Sequence, residues 1–178
     1  MKVLILSDSH GDVEIMLQII EKEKPDAMIH LGDGKADVEK VREDYPKMPI
    51  YNVPGNVDSS NPAEQWIKVC EIGGKRFVLV HGHLMINETK QPKQTDENRI
   101  SARNTMLLLI DENNADILLH GHSHEAFMHR TKGLSGKVCW MMNPGCVSRE
   151  KNVNSKPTYG LLKFKKNGSL EWKIKEVK

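Results

Sequence analysis

The sequence predicts an α/β (α+β) fold of four layers, αββα, in which two mixed β-sheets pack between helices. Three observations predict it. Apolar runs alternate with helical segments through the opening third, the β-α-β-α-β order of parallel strands with crossover helices. From Trp66 onward the chain turns to hairpins, with Gly73-Gly74 and Asn167-Gly168 as tight-turn signals. Five of the apolar runs end in a glycine beside Asp, His or Asn, and ligand sites in α/β sheets lie beyond the carboxyl ends of strands.

Taken in order, Met1 to Ser7 is a short buried strand rich in Val, Leu and Ile. Val13, Met16, Leu17 and Ile20 keep helical spacing, with Asp12 as cap and Pro25 as stop. Ala27 to Leu31 is the next strand. Val38, Val41 and Tyr45 mark a second, shorter helix beginning after Asp37, and Pro49 to Val53 is a third strand. Trp66 to Ile72 and Lys75 to Val80 form a hairpin across Gly73-Gly74. Asn87 to Asn98 is polar, carries Pro92 and reads as an exposed loop or lid base. Ile100 to Asn113 reads as a buried helix and Asp116 to Leu119 as a buried strand. The strands Ala126 to Thr131, Val138 to Met142, Tyr159 to Lys165 and Ser169 to Lys175 close the chain. No repeat, low-complexity tract or linker interrupts it, so residues 1–178 are read as one domain.

Composition excludes several function classes. Lys and Arg total 26 against 24 for Asp and Glu, an excess too small to argue for a nucleic-acid or membrane partner. No apolar stretch approaches the roughly 20 residues of a membrane span, and Asp8 interrupts the first apolar run before it resembles a signal peptide. Cys70, Cys139 and Cys146 are odd in number and widely spaced, which reads as reduced thiols in a cytoplasmic protein.

The chemistry is concentrated at the strand ends: Asp8-Ser9-His10-Gly11, Gly32-Asp33-Gly34, Pro54-Gly55-Asn56, His81-Gly82-His83 and His120-Gly121-His122-Ser123-His124. Imidazole nitrogen with carboxylate oxygen suits divalent transition metals, and the adjacent glycines permit close backbone approach. Asp8 and His10 are two apart, as are His122 and His124. In extended backbone each pair faces one way, so a pair serves one metal or splits between two adjacent ones.

Asp8-x-His10, Gly32-Asp33, Gly55-Asn56-x-Asp58, His81-Gly82-His83 and Gly121-His122-x-His124 resemble, in order, the five motifs of the calcineurin-like metallophosphoesterases. The YfcE-like branch of small phosphodiesterases is the nearest match, and Asn143-Pro144-Gly145 is similar to that branch as well. The resemblance implies two divalent metal ions per chain, Mn2+ first and Ni2+, Fe2+, Co2+ or Zn2+ as alternatives. It implies Asp8, His10, Asp33 and His124 at one ion and Asp33, Asn56, His81 and His122 at the other, with Asp33 bridging. The implied activity is hydrolysis of a small phosphate ester, a phosphodiester first, by hydroxide generated between ions about 4 Å apart. Asp33 and Asn56 thus join the catalytic set. A dimer or tetramer is compatible with this reading. A non-catalytic scaffold of the same fold, as in the related eukaryotic retromer subunit, is the alternative; a nuclease is disfavoured because aromatic residues are only 5%.

Two positions depart from the pattern. The residue after the motif Asn is often a His, or a Cys in the nearest branch, and here it is Val57, which can neither protonate nor stabilise a leaving group. His83 is the candidate to replace it, the alternative being a pocket or supporting role. Cys146 stands where the branch commonly has Ser, and a packing or turn role is expected. His30, His120 and His129 are read as structural, and Asp58 as capping the turn or supporting a ligand. Arg99 and Arg103 are read as a solvated helix face, with reach to a phosphate as the alternative, and Lys90 and Lys93 as solvated loop charge.

Overall fold

The computed structural model describes residues 1–58, 65–85, 96–152 and 156–177. Ten strands and three helices are seen among them: β1 (Lys2–Leu6), α1 (Val13–Glu23), β2 (Ala27–His30), α2 (Lys35–Asp44), β3 (Ile50–Asn52), β4 (Ile67–Ile72), β5 (Lys75–Val80), α3 (Asp96–Glu112), β6 (Ile117–Leu119), β7 (Phe127–Lys132), β8 (Val138–Asn143), β9 (Thr158–Phe164) and β10 (Leu170–Glu176).

They form two five-stranded sheets, in the orders β10-β9-β1-β2-β3 and β4-β5-β6-β8-β7. Both are mixed. β1, β2 and β3 are parallel neighbours while β9 and β10 join antiparallel. In the second sheet β5, β6 and β8 are parallel, flanked by antiparallel β4 and β7.

Strand alternation explains the layers, because successive side chains face opposite sides of a sheet. Val3 and Ile5 of β1 join Ala27, Ile29, Phe77, Leu79, Ile117 and Leu119 in the core between the sheets. Leu4, Leu6 and Met28 face the other way, onto Ile15, Met16, Ile19, Val38 and Val41 of α1 and α2. Val78, Val80 and Leu118 likewise meet Met106, Leu107 and Ile110 of α3. The predicted four-layer αββα sandwich is therefore the observed one. Strands buried on both faces carry unbroken apolar runs rather than an alternating pattern.

The register sets the site. Leu6, His30 and Asn52 are successive partners across β1, β2 and β3, and Leu79 and Leu119 across β5 and β6. Each strand thus ends at nearly the same level, just before its ligand-type residues.

Two expectations need correction. Helix α2 begins at Lys35, so Asp37 lies in its first turn, buried, rather than preceding the helix. The polar segment does not run to Asn98: α3 already includes Asp96 to Asn98, its charged first turn having no need of apolar spacing. Residues 86–95, with Lys90 and Lys93, lie outside the described residues, as does the Arg99 side chain. α1 begins after its Asp12 cap and runs to Glu23, ending where Lys24 turns left-handed before Pro25, as expected. Cys70, Cys139 and Cys146 are free thiols, and no described helix is long and apolar enough to cross a membrane.

Candidate metal centre

The five strand ends converge. Asp8, His10 and His124 form one group of convergent ligand atoms, and Asp33, His81 and His122 a second. Asn56 adjoins the second, its Oδ1 3.0 Å from His81 Nε2. All seven ligand-type residues picked from the sequence are therefore brought together.

The chain bends sharply to do this. Asp8, His10, Asp33, His122 and His124 all have left-handed backbone, with φ between 47° and 68°. Such φ values are uncommon outside glycine and cost of order 1–3 kcal/mol each. Only two other described non-glycine residues, Lys24 and Asn114, share the conformation, so the strain is concentrated here. The expectation that each His or Asp pair lies in extended backbone is thereby overturned. Asp8 and His10 still reach one group, whereas His122 and His124 divide between the two. Close approach is also required: a β-carbon at Gly55 would run into Asp33, and one at Gly121 into Ser7.

Each carboxylate is half committed. Asp8 Oδ2 accepts from Ser7 Oγ (2.5 Å) and from the His122 N–H (3.1 Å). Its Oδ1 is left facing His124 Nε2 at 3.2 Å, with His10 and His81 Nε2 each at 4.0 Å. Asp33 Oδ1 accepts the Val57 N–H (3.0 Å), and Oδ2 faces His81 Nε2 at 3.3 Å and His10 Nε2 at 3.9 Å. One oxygen of Asp33 thus looks toward imidazoles of both groups. His81 Nδ1 lies 2.7 Å from the Leu31 carbonyl, which can only accept, so the Nδ1–H is donated there and Nε2 is the ring nitrogen turned toward the site.

Neighbouring residues fix the loops. Asp58 accepts the N–H groups of Asp33, Gly34, Lys35 and Gly55 at 2.8–3.0 Å, capping α2 from outside it and seating Asp33. His30 Nε2, Ser9 Oγ and Asp37 Oδ2 form a chain with steps of 3.1 and 2.6 Å, and Asp37 also takes the Gly11 N–H. Asn143 donates to the Gly121 carbonyl (2.9 Å) and Ser123 Oγ (3.0 Å), holding the His122–His124 turn. Cys146, fully buried, donates to the Asp8 carbonyl at 3.1 Å. Sequence reasoning missed Asp37, Ser7 and Ser9; the only signal was a carboxylate placed to face inward from a helix.

The electrostatics fit a cation. Two carboxylates sit buried among imidazoles, and Asp8 Oδ1 and His10 Nε2 have no well-directed hydrogen bond among the described residues. Such atoms are costly unless an ion satisfies them. Burial works to raise Asp33, but the His81 and Val57 hydrogen bonds outweigh it and bring its carboxyl to about 2. His124 is pushed up to about 10, first by Asp8 and then by Cys146. Burial works to lower His81, yet Asp33 and Asp8 raise it overall. Protons thus occupy the place a cation would take. His30 and His120 are driven down to about 4 by burial and stay neutral, as a structural role requires.

His83 sits beside the second group, its ring centroid 5.5 Å from His81 and 6.2 Å from His122, and edge-packed on Trp66 at 5.0 Å. Burial, then His81 and His122, hold it below its ordinary value. It is mainly neutral at pH 7, suited to hydrogen bonding and less so to donating a proton. His129 stacks on Phe127 at the exposed edge strand β7, and Arg103 is exposed on α3.

A search of known families matches residues 1–167 to the calcineurin-like phosphoesterase superfamily domain. The probable metallophosphoesterase YsnB of Bacillus subtilis is 32% identical over 91% of this chain and 83% of its own. A conserved protein of Streptococcus pneumoniae, described as a predicted phosphoesterase, has a crystal structure with TM-score 0.59 and 26% identity over 90% of this chain and 81% of that one. Vps29 from Entamoeba histolytica superposes over the whole of both chains with TM-score 0.66 and 19% identity, a likeness of fold alone.

Proposed function

The chain belongs to the calcineurin-like phosphoesterase superfamily, and on that premise we propose that it is a dinuclear metal-dependent phosphodiesterase acting on small phosphate esters. The observation that carries the proposal is Asp33 Oδ2, one carboxylate oxygen facing His10 of one ligand group and His81 of the other.

In this reading Asp8, His10, Asp33 and His124 hold one divalent cation, and Asp33, Asn56, His81 and His122 the other, with Mn2+ the first choice. Ions held there would acidify a coordinated water toward neutrality and draw charge from the phosphoryl oxygens. The chain's own residues set the conditions. Two carboxylates against two divalent cations leave the site positive, and Asn56 adds a ligand oxygen without adding charge, which favours an anionic ester. The Leu31 carbonyl and the Ser7 hydroxyl orient His81 and Asp8, so little reorganisation is left to binding. Val57, 62% exposed, offers the leaving group neither proton nor hydrogen bond from its side chain. His83 is the nearby imidazole able to hydrogen-bond the departing oxygen. Turnover should therefore favour aryl and other good leaving groups, since general-acid catalysis is worth ~10²–10⁴ in rate.

The second reading is a non-catalytic scaffold, which the Vps29 likeness in fold invites. Retention of seven convergent ligand-type residues weighs for the enzyme, because a scaffold has no need of buried carboxylates in strained turns. The test is metal analysis of purified protein, then assay of bis-aryl phosphate hydrolysis with Mn2+, Ni2+, Co2+, Fe2+ and Zn2+. Two ions per chain with metal-dependent turnover are expected. Fewer than two ions and no turnover with any of the five metals would favour the scaffold.

A further inference from the structure

The two flanks of the centre differ in polarity. Beside His10 opens a cleft of about 440 Å3 lined by Asp12, Glu14, Ser148, Arg149 and Glu150. Its one guanidinium is already engaged, with Arg149 Nε and Nη2 donating to the Asp12 carboxylate at 3.0 and 2.8 Å. Among the described residues, three apolar side chains stand on the flank of Asp33, His81 and His122. Val57 follows Asn56, gives its N–H to Asp33 and leaves its side chain 62% exposed. Leu84 follows His83 and is 64% exposed. Trp66, at the entry to β4, packs its indole on the same His83 ring.

Single exposed apolar residues are ordinary on a protein surface. Here two of them, with the half-buried Trp66, stand beside one imidazole cluster, brought from three separate loops in both sheets. Water on these faces is the cheapest to displace, and a large aromatic surface with an imidazole beside it suits ring stacking. His83 links the two regions: it touches Trp66 on one side and lies near His81 and His122 on the other, with Nδ1 buried and unpartnered among the described residues.

We propose that Trp66, Leu84 and Val57 form a shelf around His83 that seats the aromatic or other flat apolar substituent of the ester, orienting it over the Asp33–His81–His122 side of the centre. The shelf makes these residues determinants of specificity. It rests on the phosphoesterase reading and adds the class of alcohol that the substrate carries.

The experiment measures binding of phenylphosphonate and methylphosphonate, which cannot be hydrolysed at the P–C bond, to the Mn2+-loaded protein by calorimetry. The phenyl compound should bind roughly tenfold tighter, as expected for a ring that exchanges water for an apolar face. In Trp66→Ala and in Leu84→Ser the preference should fall to within about threefold of unity, and Trp66→Phe should restore it. Leu84→Ser changes an exposed side chain, so it reports even where Trp66→Ala fails to fold. Equal affinity of the wild-type protein for both phosphonates, or a preference that neither variant reduces, overturns the shelf while leaving the phosphoesterase reading standing. Failure of both phosphonates to bind, together with absence of ester turnover, removes both.

Discussion

Replacing Asp58 by Asn tests how the chain seats Asp33 before any metal arrives. Asp58 Oδ1 accepts from Gly34 and Lys35 at 3.0 and 2.9 Å, and Oδ2 from Asp33 and Gly55 at 2.9 and 2.8 Å. An amide has one oxygen, so whichever way it turns, its NH2 group meets two backbone donors. Two bonds to a charged acceptor are lost, each worth about 1.5–3 kcal/mol. The residue is half-buried, so water recovers part of each and the lower end of the range applies. The α2 N-terminus also loses a negative charge, which costs a further ~0.5 kcal/mol. Asp58→Asn should therefore destabilise the metal-free protein by about 3.5 kcal/mol. With a urea slope of about 2 kcal/mol/M, the unfolding midpoint should fall by about 1.7 M. Metal affinity should fall as well, because Asp33 is held by its own N–H. A loss below about 1 kcal/mol would show that solvent replaces these bonds freely and would refute the seating argument.

Three further outcomes follow from the same geometry. Because His124 is held at about 10 by Asp8 and then Cys146, it is protonated at pH 7 in the metal-free protein and must shed that proton to offer Nε2. Mn2+ binding at pH 7 should release about one proton or more and tighten as pH rises, read from calorimetry in buffers of different ionisation enthalpy; no buffer dependence would sink the idea. Burial works to raise Glu23, but hydrogen bonds from Lys175 and Tyr159 outweigh it and hold the carboxyl below its ordinary 4.5. A depressed folded value means stability that is present above pH 4.5 and lost as pH falls through the folded value. Glu23→Gln should flatten this acid limb of urea midpoints against pH, and an unchanged slope would refute the assignment. Val57→His should raise turnover of esters with poor leaving groups more than of those with good ones, and a uniform rise would remove the proposed role of position 57.

Much of the fold was legible because its signals are local. Val3–Leu6, Ala27–Ile29 and Phe77–Val80 are unbroken apolar runs because both faces of each strand are covered. Gly73-Gly74 and Asn167-Gly168 mark hairpins by chemistry that acts within four residues, and both hairpins are present. The ligand-type residues stood out for the same reason, each lying one to five residues beyond a strand and five of the seven beside a glycine. Helix starts were less legible. α2 is capped by Asp58, more than twenty residues away, so no nearby side chain announced Lys35 as its beginning.

The residue types at the five strand ends determined which chemistry this chain can host, since only their nitrogens and oxygens can hold divalent ions there. Tertiary structure alone decided how those atoms are shared. His122 and His124, both in left-handed turns, lie in different groups, and Asp33 faces both because Val57, Asp58 and Gly55 from another strand end crowd and bond it. Spacing along a chain reports the direction of a side chain only while the backbone stays regular. At this centre long-range hydrogen bonds hold the backbone away from any regular form, so the division of ligands is a property of the assembled sheets.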